Sequence, residues 1–345
     1  MKILIYGAGA VGSYVGGHLA LAGHRVTLLA RGQMAEALSA RGLTLRSASG
    51  ASTEVGNVTV ATSPGEAFAG AGFDWLVFAM KAYDTVPAIH ELEAITREPP
   101  PILCLQNGVG NEESLASAFG AERVVAGAMT TVVVVDGPGV VREEKERGLV
   151  VADDRPAARR MLEALGETAL TVQTTPRADA LKWSKLLLNQ TANATSAILD
   201  MPPGEVFAHP ELFALERAAL IETLGVMRVQ GIPAVNLPGI EARTLAVAIR
   251  LLPGPLLRAI LTPKVRRGRG DKMPSLHIDL SRGRGKSEVV WLNGAVARAA
   301  DAAGLLAPVN HALALTLTDI INGRAPWEQF RGRPEMLLAA VRVAR

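Results

Sequence analysis

Disulfides and metal centres are excluded first, because the chain is poor in the residues that form them. Its 345 residues include one cysteine, Cys104, and six histidines without paired ligand spacing, so no metal site is expected. A lone cysteine excludes an intrachain disulfide, and its position in the apolar run 101–105 predicts a buried, unreactive thiol in a reducing compartment. The first strand follows Met1 almost at once, so we expect no secretory leader and a cytoplasmic protein.

Aromatic side chains, excess charge and long apolar runs are also scarce. Only 4% of the residues are aromatic, and the net charge is +3, which does not favour nucleic acid as a partner. The most apolar later stretch, 245–261, is interrupted by Arg250, Pro253, Pro255 and Arg258, so it predicts helices joined by a proline turn rather than a membrane span. With 49% hydrophobic residues, a chain of this length is expected to form two globular domains.

A glycine turn near the N-terminus predicts where a dinucleotide binds. Residues 2–6 form a β-rich run that leads into Gly7, Gly9 and Gly12, and an apolar helical pattern follows. In such a unit the first glycine permits the turn, the second admits the pyrophosphate to the backbone, and the third lets the helix pack on the strand. The helix N-terminus offers N–H groups to the anion. The predicted cofactor contacts are Gly7, Ala8, Gly9, Ala10, Val11 and Gly12.

The second strand lacks the acidic residue that would select NAD. NAD-binding units place Asp or Glu near the end of this strand to hold the ribose 2′-hydroxyl. Here the run 24–29 is followed by Arg31, and the first carboxylate is Glu36 in the next helix. A guanidinium at Arg31 can grip a 2′-phosphate through two parallel bonds, so NADPH is favoured over NADH. The alternative for Arg31 is a solvated side chain in a surface loop.

Two later apolar runs predict central strands of a parallel sheet. Strands and helices alternate beyond the second strand, as in a doubly wound α/β domain. The runs 74–79 and 102–105 are followed by polar residues, Lys81 after the first and Asn107 after the second. Because ligands bind at the carboxyl ends of such strands, Lys81 and Asn107 are candidate site residues. The alternative for each is an ordinary loop residue.

The sequence pattern changes near residue 129. Valine-rich runs around a Gly-Pro-Gly turn predict antiparallel strands within 129–153, followed by a helix over 156–165 and a last strand over 169–173. Pro176 then predicts a helix start with proline at the first helical position.

The domain boundary is predicted at this helix start. The stretches that follow it are helical in pattern and punctuated by proline. We therefore predict a dinucleotide-binding α/β domain over residues 1–175 and an all-α domain over residues 176–345.

A polar stripe is predicted on the first helix of the second domain. Lys185, Asn189 and Asn193 are spaced at i, i+4 and i+8, which puts them on one helix face beside apolar leucines. Facing a crevice, these side chains could bind a carboxylate and a carbonyl group. On a solvated face, the two asparagines would only weaken the helix.

Taken in order, these motifs resemble the ketopantoate reductase family over most of the chain. The resemblance rests on Gly7-x-Gly-x-x-Gly12, Arg31, Met80-Lys81-Ala82, Gln106-Asn107-Gly108, Lys182-Trp183-Ser184-Lys185 with Asn189 and Asn193, and Ser287-Glu288 ahead of Asn293-Gly294. It implies an N-terminal Rossmann-type domain followed by an all-α domain of the 6-phosphogluconate dehydrogenase C-terminal type. It also implies that NADPH and substrate bind in the cleft between them.

The resemblance further implies an activity and roles for single residues. The implied reaction is the NADPH-dependent reduction of ketopantoate to pantoate, on the route to pantothenate and coenzyme A. Lys185 corresponds to the catalytic lysine and Glu288 to the active-site glutamate. Contacts with cofactor or substrate are implied for Lys81, Asn107, Asn189, Asn193 and Ser275. The residue types suit this chemistry, because an ammonium can give its proton to the carbonyl oxygen as hydride reaches the carbon.

Three departures from the family pattern put the substrate in question. The chain has Met201-Pro202-Pro203-Gly204 where the family usually has a polar Asn-Gly pair. The segment 236–273 is long and ends in a basic cluster, which we interpret as a flexible loop, with a lid as the alternative. Residues 281–286 contain one residue more than expected, and their glycines predict a reshaped turn.

Other functions stay open at this point. A paralogue of this kind could reduce a bulkier 2-oxo acid or an imine, as the related opine dehydrogenases do, and a non-catalytic NADP(H)-sensing protein is a further alternative. A homodimer is mildly preferred. His277, two residues after Ser275, is interpreted as a structural histidine rather than a pocket residue.

Overall fold

The computed structural model describes residues 1–70, 72–269 and 272–343. The chain divides into two compact units. The first comprises Met1–Lys182 and Leu237–Ile240, and the second comprises Trp183–Asn236 and the described residues from Glu241 onward.

The described residues of the first unit form two β-sheets built from twelve strands. In chain order these are β1 (Lys2–Tyr6), β2 (Arg25–Leu29), β3 (Leu43–Arg46), β4 (Ser52–Val55), β5 (Val58–Ala61), β6 (Trp75–Phe78), β7 (Ile102–Cys104), β8 (Val124–Met129), β9 (Val132–Val135), β10 (Val140–Lys145), β11 (Leu149–Ala152) and β12 (Val172–Thr175). The larger sheet has the order β12-β11-β8-β7-β6-β1-β2-β5, and the smaller has the order β4-β3-β10-β9. From β5 through β8 the larger sheet is parallel throughout, which confirms the predicted sheet type.

Within the described residues up to Gln190, seven α-helices lie between these strands or after the last of them. They are α1 (Ala10–Leu21), α2 (Gly32–Arg41), α3 (Pro64–Phe68), α4 (Thr85–Glu93), α5 (Asn111–Phe119), α6 (Ala158–Gly166) and α7 (Ala178–Gln190). Side chains of β1 alternate between two hydrophobic clusters, with Ile3 and Ile5 in one and Leu4 and Tyr6 in the other. Because both faces of the strand are buried, β1 is apolar at nearly every position.

The region after residue 129 contains the predicted antiparallel strands, since β8 pairs antiparallel with β11 and β9 with β10. The last strand was predicted too early: β12 covers Val172–Thr175, because Val172 through Thr175 continue the ladder opposite Leu149 through Ala152. The prediction that proline occupies the first helical position was wrong. Pro176 precedes α7, which begins at Ala178.

The predicted domain boundary after residue 175 stays a prediction. It coincides with the end of β12, whereas the compact units divide between Lys182 and Trp183, inside α7. Residues Leu237–Ile240, which form a small antiparallel bridge, belong to the first unit.

Regular structure in the described part of the second unit is helical, as predicted. After α7 come α8 (Asn193–Leu199), α9 (Pro203–Ala208), α10 (Pro210–Val229), α11 (Ala242–Leu251), α12 (Gly254–Arg269), α13 (Ser275–Ser281), α14 (Asn293–Ala302), α15 (Pro308–Ile321) and α16 (Pro334–Val343). A helix shorter than these, over Glu288–Trp291, is of the 3₁₀ type. Among the described residues, no helix is long and apolar enough to cross a membrane.

The predicted continuous stripe from Lys185 to Asn193 is interrupted. Helix α7 ends at Gln190, Ala192 has a left-handed φ of 52°, and Asn193 is the first residue of α8. The backbone N–H of Ala192 donates a 2.6 Å hydrogen bond to the buried carboxylate of Glu216 on α10. A buried acceptor from another helix therefore stabilises a break that the local spacing does not predict.

The interpretation of the basic cluster as a flexible loop was wrong up to residue 269. Helix α12 runs to Arg269 with Pro263 inside it, and Arg266 packs so closely on α9 that a Cβ at Gly204 would lie 2.6 Å from Arg266 Cγ. The end of the cluster, Gly270 and Asp271, lies outside the described residues. The proline turn is confirmed, because Leu252 and Pro253 separate α11 from α12.

The turn predicted within 281–286 contains two glycines with positive φ. Gly283 has φ of 62° and Gly285 has φ of 63°, a backbone region in which other residues are strained. The turn that these glycines predict therefore contains left-handed backbone at both positions.

Candidate functional site

The glycine turn between β1 and α1 packs tightly on its neighbours at two positions. Gly7 has φ of +104°, and a Cβ there would lie 2.7 Å from the backbone nitrogen of Met80. A Cβ on Gly12 would lie 2.1 Å from the carbonyl oxygen of Gly7. Both positions require glycine for a steric reason, because the contacting atoms belong to the backbone and cannot rotate away.

Gly9, by contrast, faces open space. Among the described residues other than Gly9 and its two chain neighbours, no atom lies within 4 Å of a Cβ built on Gly9, and no side chain caps the helix that begins at Ala10. The N–H groups at this helix N-terminus are not capped by a side chain, and Gly9 leaves space for a ligand to approach them. These two features fit a pyrophosphate. The turn therefore fits the dinucleotide that the sequence predicts at Gly7, Ala8, Gly9, Ala10, Val11 and Gly12.

Arg31 lies immediately before α2, at the end of the segment that follows β2. Its side chain is 68% exposed, and its Nη2 lies 3.3 Å from Oε2 of Glu91 on α4. An exposed guanidinium with one carboxylate partner can exchange that partner for a phosphate, because exposed ion pairs contribute little free energy. The geometry is compatible with the predicted role of Arg31, and Glu91 is a neighbour that the sequence did not reveal.

Lys81 and Asn107 follow β6 and β7, respectively, at the same edge of the sheet, and both are partly buried. The loops that carry them are joined through Gln106. Its side-chain amide donates to the carbonyl oxygen of Met80 at 3.2 Å and to the hydroxyl of Thr85 at 2.7 Å. The loops are thus held together at the carboxyl edge, where α/β sheets bind ligands.

The Asn107 loop has a second anchor in α5. The side-chain amide of Asn111 donates to the carbonyl oxygen of Asn107 at 3.0 Å, and the Asn111 oxygen accepts from the Thr85 hydroxyl at 2.9 Å. Asn111 and Thr85 are both buried. Their hydrogen bonds therefore form in a low-dielectric environment, where a satisfied network is rigid.

A buried ion pair that the sequence reasoning missed contacts the backbone of Gln106, next to Asn107. Lys182 on α7 is 5% exposed, and its Nζ lies 2.7 Å from Glu112 Oε1. The same ammonium donates to the carbonyl oxygen of Gln106 at 2.6 Å. Burial acts to lower the pKa of Lys182, but the surrounding negative groups, Glu112 foremost, outweigh it and raise that pKa above its ordinary value.

Cys104 on β7 belongs to the same buried region. Its thiol is free and fully buried, as predicted. Burial, and then the nearby Glu112 carboxylate, raises the pKa of this thiol well above its ordinary value. The neutral thiol is therefore strongly favoured, which makes Cys104 a poor nucleophile.

In the second unit, three of the predicted substrate residues are joined by hydrogen bonds. The side-chain amide of Asn193 donates to the carbonyl oxygen of Asn189 at 2.9 Å and to the hydroxyl of Ser275 at 3.4 Å. Its side-chain oxygen accepts from the backbone N–H of Leu276 at 3.2 Å. Lys185 lies one turn before Asn189 on α7, and both are partly buried. Asn193 is thus the residue that ties the end of α7 to the exposed Ser275 at the start of α13.

Glu288 is the first residue of the 3₁₀ helix Glu288–Trp291 and is 2% exposed. The hydroxyl of Ser287 caps this helix by accepting from Val289 N at 3.2 Å. A carboxyl group this deeply buried is not a solvated surface carboxylate, and buried acids are rare unless they interact with other groups.

His277 has the structural role that the sequence interpretation favoured. Its Nε2 lies 2.5 Å from Oδ1 of Asp200, which follows α8. The other oxygen of Asp200 accepts from Arg331 at 2.6 Å. Partial burial acts to raise the pKa of Asp200, but the hydrogen bonds from His277 and Arg331 outweigh it and hold that pKa below its ordinary value.

The predicted site residues therefore fall into two groups, one in each unit. The first group comprises the glycine turn, Arg31, Lys81 and Asn107, and the second comprises Lys185, Asn189, Asn193, Ser275 and Glu288. Sequence reasoning missed Glu91, Glu112 and the role of Lys182. The only signal for Lys182 was its place beside Lys185 in the quoted motif, because its partners are distant in sequence.

A Rossmann sheet with this glycine turn, followed by an all-α unit, defines a class of dinucleotide-dependent oxidoreductases. Two family profiles match the chain: "Ketopantoate reductase PanE/ApbA" over residues 3–155 and "Ketopantoate reductase PanE/ApbA C terminal" over residues 177–320. The chain therefore belongs to the ketopantoate reductase family, and it is an oxidoreductase of that type.

Individual relatives agree with this assignment. A 2-dehydropantoate 2-reductase of Pyrococcus horikoshii is 29% identical over 318 residues, which cover 91% of this chain and 95% of that protein. A crystal structure of a PanE/ApbA family ketopantoate reductase from Ralstonia eutropha superposes with a TM-score of 0.79 at 30% identity, covering 94% of this chain and 99% of the other. D-Mandelate dehydrogenase, solved with NADH and anilino(oxo)acetate, shares the fold with a TM-score of 0.75 at 21% identity, covering 94% and 99% of the two chains.

Proposed function

We propose that this protein catalyses the NADPH-dependent reduction of the 2-oxo acid ketopantoate to pantoate, a step toward pantothenate and coenzyme A. The proposal is supported by membership of the family and by the similarity to the 2-dehydropantoate 2-reductase of Pyrococcus horikoshii. The choice of NADPH is supported by Arg31 after β2, where an NAD-binding unit would carry an acidic residue.

The observation that carries the proposal is the polar group formed by Lys185, Asn189, Asn193 and Ser275. A 2-oxo acid has a carboxylate and a carbonyl oxygen within a few ångströms of each other, and both need hydrogen-bond donors. Lys185 is the donor whose proton can pass to the carbonyl oxygen as negative charge develops there. The Asn189 amide and the Ser275 hydroxyl would bind carboxylate and carbonyl oxygens without adding charge, and Asn193 would join them by exchanging its 3.4 Å contact with Ser275 for a substrate oxygen.

Roles in the first unit follow from the residues at the sheet edge. NADPH supplies the hydride that reduces the C2 carbonyl carbon. Gly9 and the start of α1 would receive the pyrophosphate, and Arg31 the 2′-phosphate. Lys81 and Asn107, after the two central strands, would line the remainder of the cofactor site.

Glu288 is proposed as the acidic member of the catalytic group. Its buried carboxylate would hold Lys185 charged and oriented until the proton leaves, or accept a hydrogen bond from a substrate hydroxyl. The Ser287 cap fixes the short helix on which this carboxylate is carried.

The first experiment measures initial rates of NADPH and NADH oxidation with ketopantoate, pyruvate, 2-oxoisovalerate and oxaloacetate. The proposal predicts the highest kcat/KM for ketopantoate with NADPH. If NADPH binds tightly but ketopantoate is not reduced, the substrate assignment is wrong.

A second experiment tests Lys185. The variant Lys185→Ala should lower kcat by about 10²- to 10⁴-fold, the usual range for a proton donor, while NADPH binding is retained. Lys264→Ala, which removes an exposed lysine of α12, is the matched control and should leave kcat unchanged. Unchanged turnover in Lys185→Ala would remove this lysine from the mechanism.

One observation favours a second candidate, the reductase of a bulkier 2-oxo acid or imine. Where the family pattern has a polar pair, Pro203 begins α9, and this helix packs against Arg266 of α12 through Gly204. In this second proposal, the polar substrate contact expected from the family pattern is missing, and a packed helix start lies in its place. Preference for a larger 2-oxo acid in the rate panel would support this candidate.

A further inference from the structure

The buried ammonium of Lys182 makes its contacts with oxygen atoms from three different elements of the first unit. Its Nζ lies 2.6 Å from the Gln106 carbonyl, 2.7 Å from the Glu112 carboxylate and 3.4 Å from the Gly127 carbonyl. Two of its N–H groups donate to the Gln106 and Gly127 carbonyls, and the Glu112 carboxylate interacts with the ammonium as an ion-pair partner. Lysine is rarely buried unless it is paired in this way.

One of these oxygens belongs to the loop that carries Asn107. The Gln106 carbonyl accepts from Lys182, while the Gln106 side chain holds the Met80 carbonyl and the Thr85 hydroxyl. Lys182 therefore holds the backbone of Gln106 by a hydrogen bond. Because Gln106 also contacts the loop of Lys81, this bond supports both loops at the sheet edge. Lys185 follows on the same helix, three positions later.

Glu112 supplies the charge that this arrangement needs. Carbonyl oxygens alone do not neutralise a buried ammonium, and removing a single charge from water is unfavourable unless an opposite charge compensates it. The Glu112 side chain is 16% exposed and that of Lys182 only 6%, so the pair is largely shielded from water. The ion pair can therefore hold α5 and the start of α7 in a constant position relative to the Gln106 backbone.

We propose that Lys182, neutralised by Glu112, is a positioning residue that holds the loop of Gln106 and Asn107 and the first turns of α7 in the geometry that the reaction requires. This inference rests on the proposed function, since it assigns Asn107 and Lys185 to that reaction. Lys182 acts through these residues, without contact to substrate.

The test compares Lys182→Met with the double variant Lys182→Met/Glu112→Gln. The single variant leaves a buried carboxylate without its partner and should be strongly destabilised. The double variant has no uncompensated charge, so its melting temperature should return close to that of the wild type. A structural role alone predicts that activity returns with stability.

Two readouts on the double variant separate positioning from stability. Amide hydrogen exchange over residues 106–111 should be at least tenfold faster than in the wild type, because the Gln106 carbonyl has lost its donor. At the same time kcat should be at least tenfold lower, with the Kd for NADPH changed less than threefold. Arg46→Met/Asp136→Asn removes a 2.6 Å ion pair of the smaller sheet and should leave both readouts at wild-type values.

Each outcome decides the inference. Wild-type kcat in the stable double variant overturns it, whether or not exchange is faster, and unchanged exchange shows that Lys182 does not hold the loop. If the wild type reduces none of the 2-oxo acids, the proposed function fails, while the exchange measurement still shows whether Lys182 holds the loop.

Discussion

Alanine substitutions at two glycines of the same turn are predicted to impair different properties, stability at Gly12 and ligand binding at Gly9. Gly12 lies inside packed structure, where an added Cβ would be 2.1 Å from the Gly7 carbonyl oxygen and 2.9 Å from a methyl group of Ile5. Gly9 lies beside open space and has φ of −80° and ψ of −165°, which alanine adopts without strain. The first substitution should damage the fold, and the second should damage ligand binding.

The expected magnitudes follow from these contacts. Overpacking costs about 1–3 kcal/mol or more, and a clash with backbone belongs at the upper end. Alanine returns up to about 1 kcal/mol of helix propensity, so Gly12→Ala should lose about 2 kcal/mol of unfolding free energy. Gly9→Ala exchanges one N-cap residue for a poorer one and should lose about 1 kcal/mol or less. Its methyl group would occupy the space that the pyrophosphate approaches, so NADPH affinity should fall at least tenfold, about 1.4 kcal/mol.

Urea unfolding and fluorescence titration with NADPH measure the two effects separately. Gly65→Ala on α3 is the control, since its added Cβ meets no described atom within 4 Å beyond its chain neighbours and its own helix backbone, and NADPH affinity should not change. Wild-type NADPH affinity in folded Gly9→Ala would refute the assignment of this turn to the pyrophosphate. Wild-type stability in Gly12→Ala would refute the steric argument.

Three further predictions concern side chains outside the turn. Glu91→Gln removes the carboxylate partner of Arg31 and should tighten NADPH binding about two- to fivefold at low salt, as measured by the same fluorescence titration. The effect should become smaller at high salt because salt screens exposed charges, and it should be absent in the control Glu93→Gln. The folded pKa of Asp200 is depressed, so its stabilising contribution is present above the unfolded pKa of about 4 and is lost as pH falls through the folded value. On acidification, the wild type should therefore lose more unfolding free energy than Asp200→Asn. An equal loss of unfolding free energy in the two proteins would contradict this prediction. Cys104 should resist a thiol reagent at about pH 8 in the folded protein and react once the chain is unfolded, so rapid labelling of the native state would show that the thiol is accessible.

Features governed by neighbouring residues were predictable from the sequence. Strands β2, β6 and β7 occur within the predicted runs, and the glycine turn has the steric pattern expected of it. The proline turn before α12 was predictable for the same reason, because proline restricts its own backbone and that of its neighbour. The functional roles of the site residues remain predictions that the experiments above test.

The helix predictions were wrong where contacts between residues distant in sequence determine the local structure. The spacing of Lys185 and Asn193 predicts one helix, but Glu216, 24 positions beyond Ala192, accepts the hydrogen bond that stabilises the break between α7 and α8. The charge of residues 264–269 suggested a loop, but packing of Arg266 against Gly204 accompanies a helix there. Neither contact has a counterpart in local periodicity.

By itself, the sequence determined the central parallel strands, the glycine turn and the candidates for proton transfer, because these depend on backbone preferences and on residue chemistry within a few positions. Only the tertiary structure decided which polar groups meet. Lys182 meets Gln106 from 76 positions away, and Asn193 meets Ser275 from 82 positions away. The physical reason is that a buried charge or amide is stable only with its partners, and the folding of the whole chain brings those partners to it.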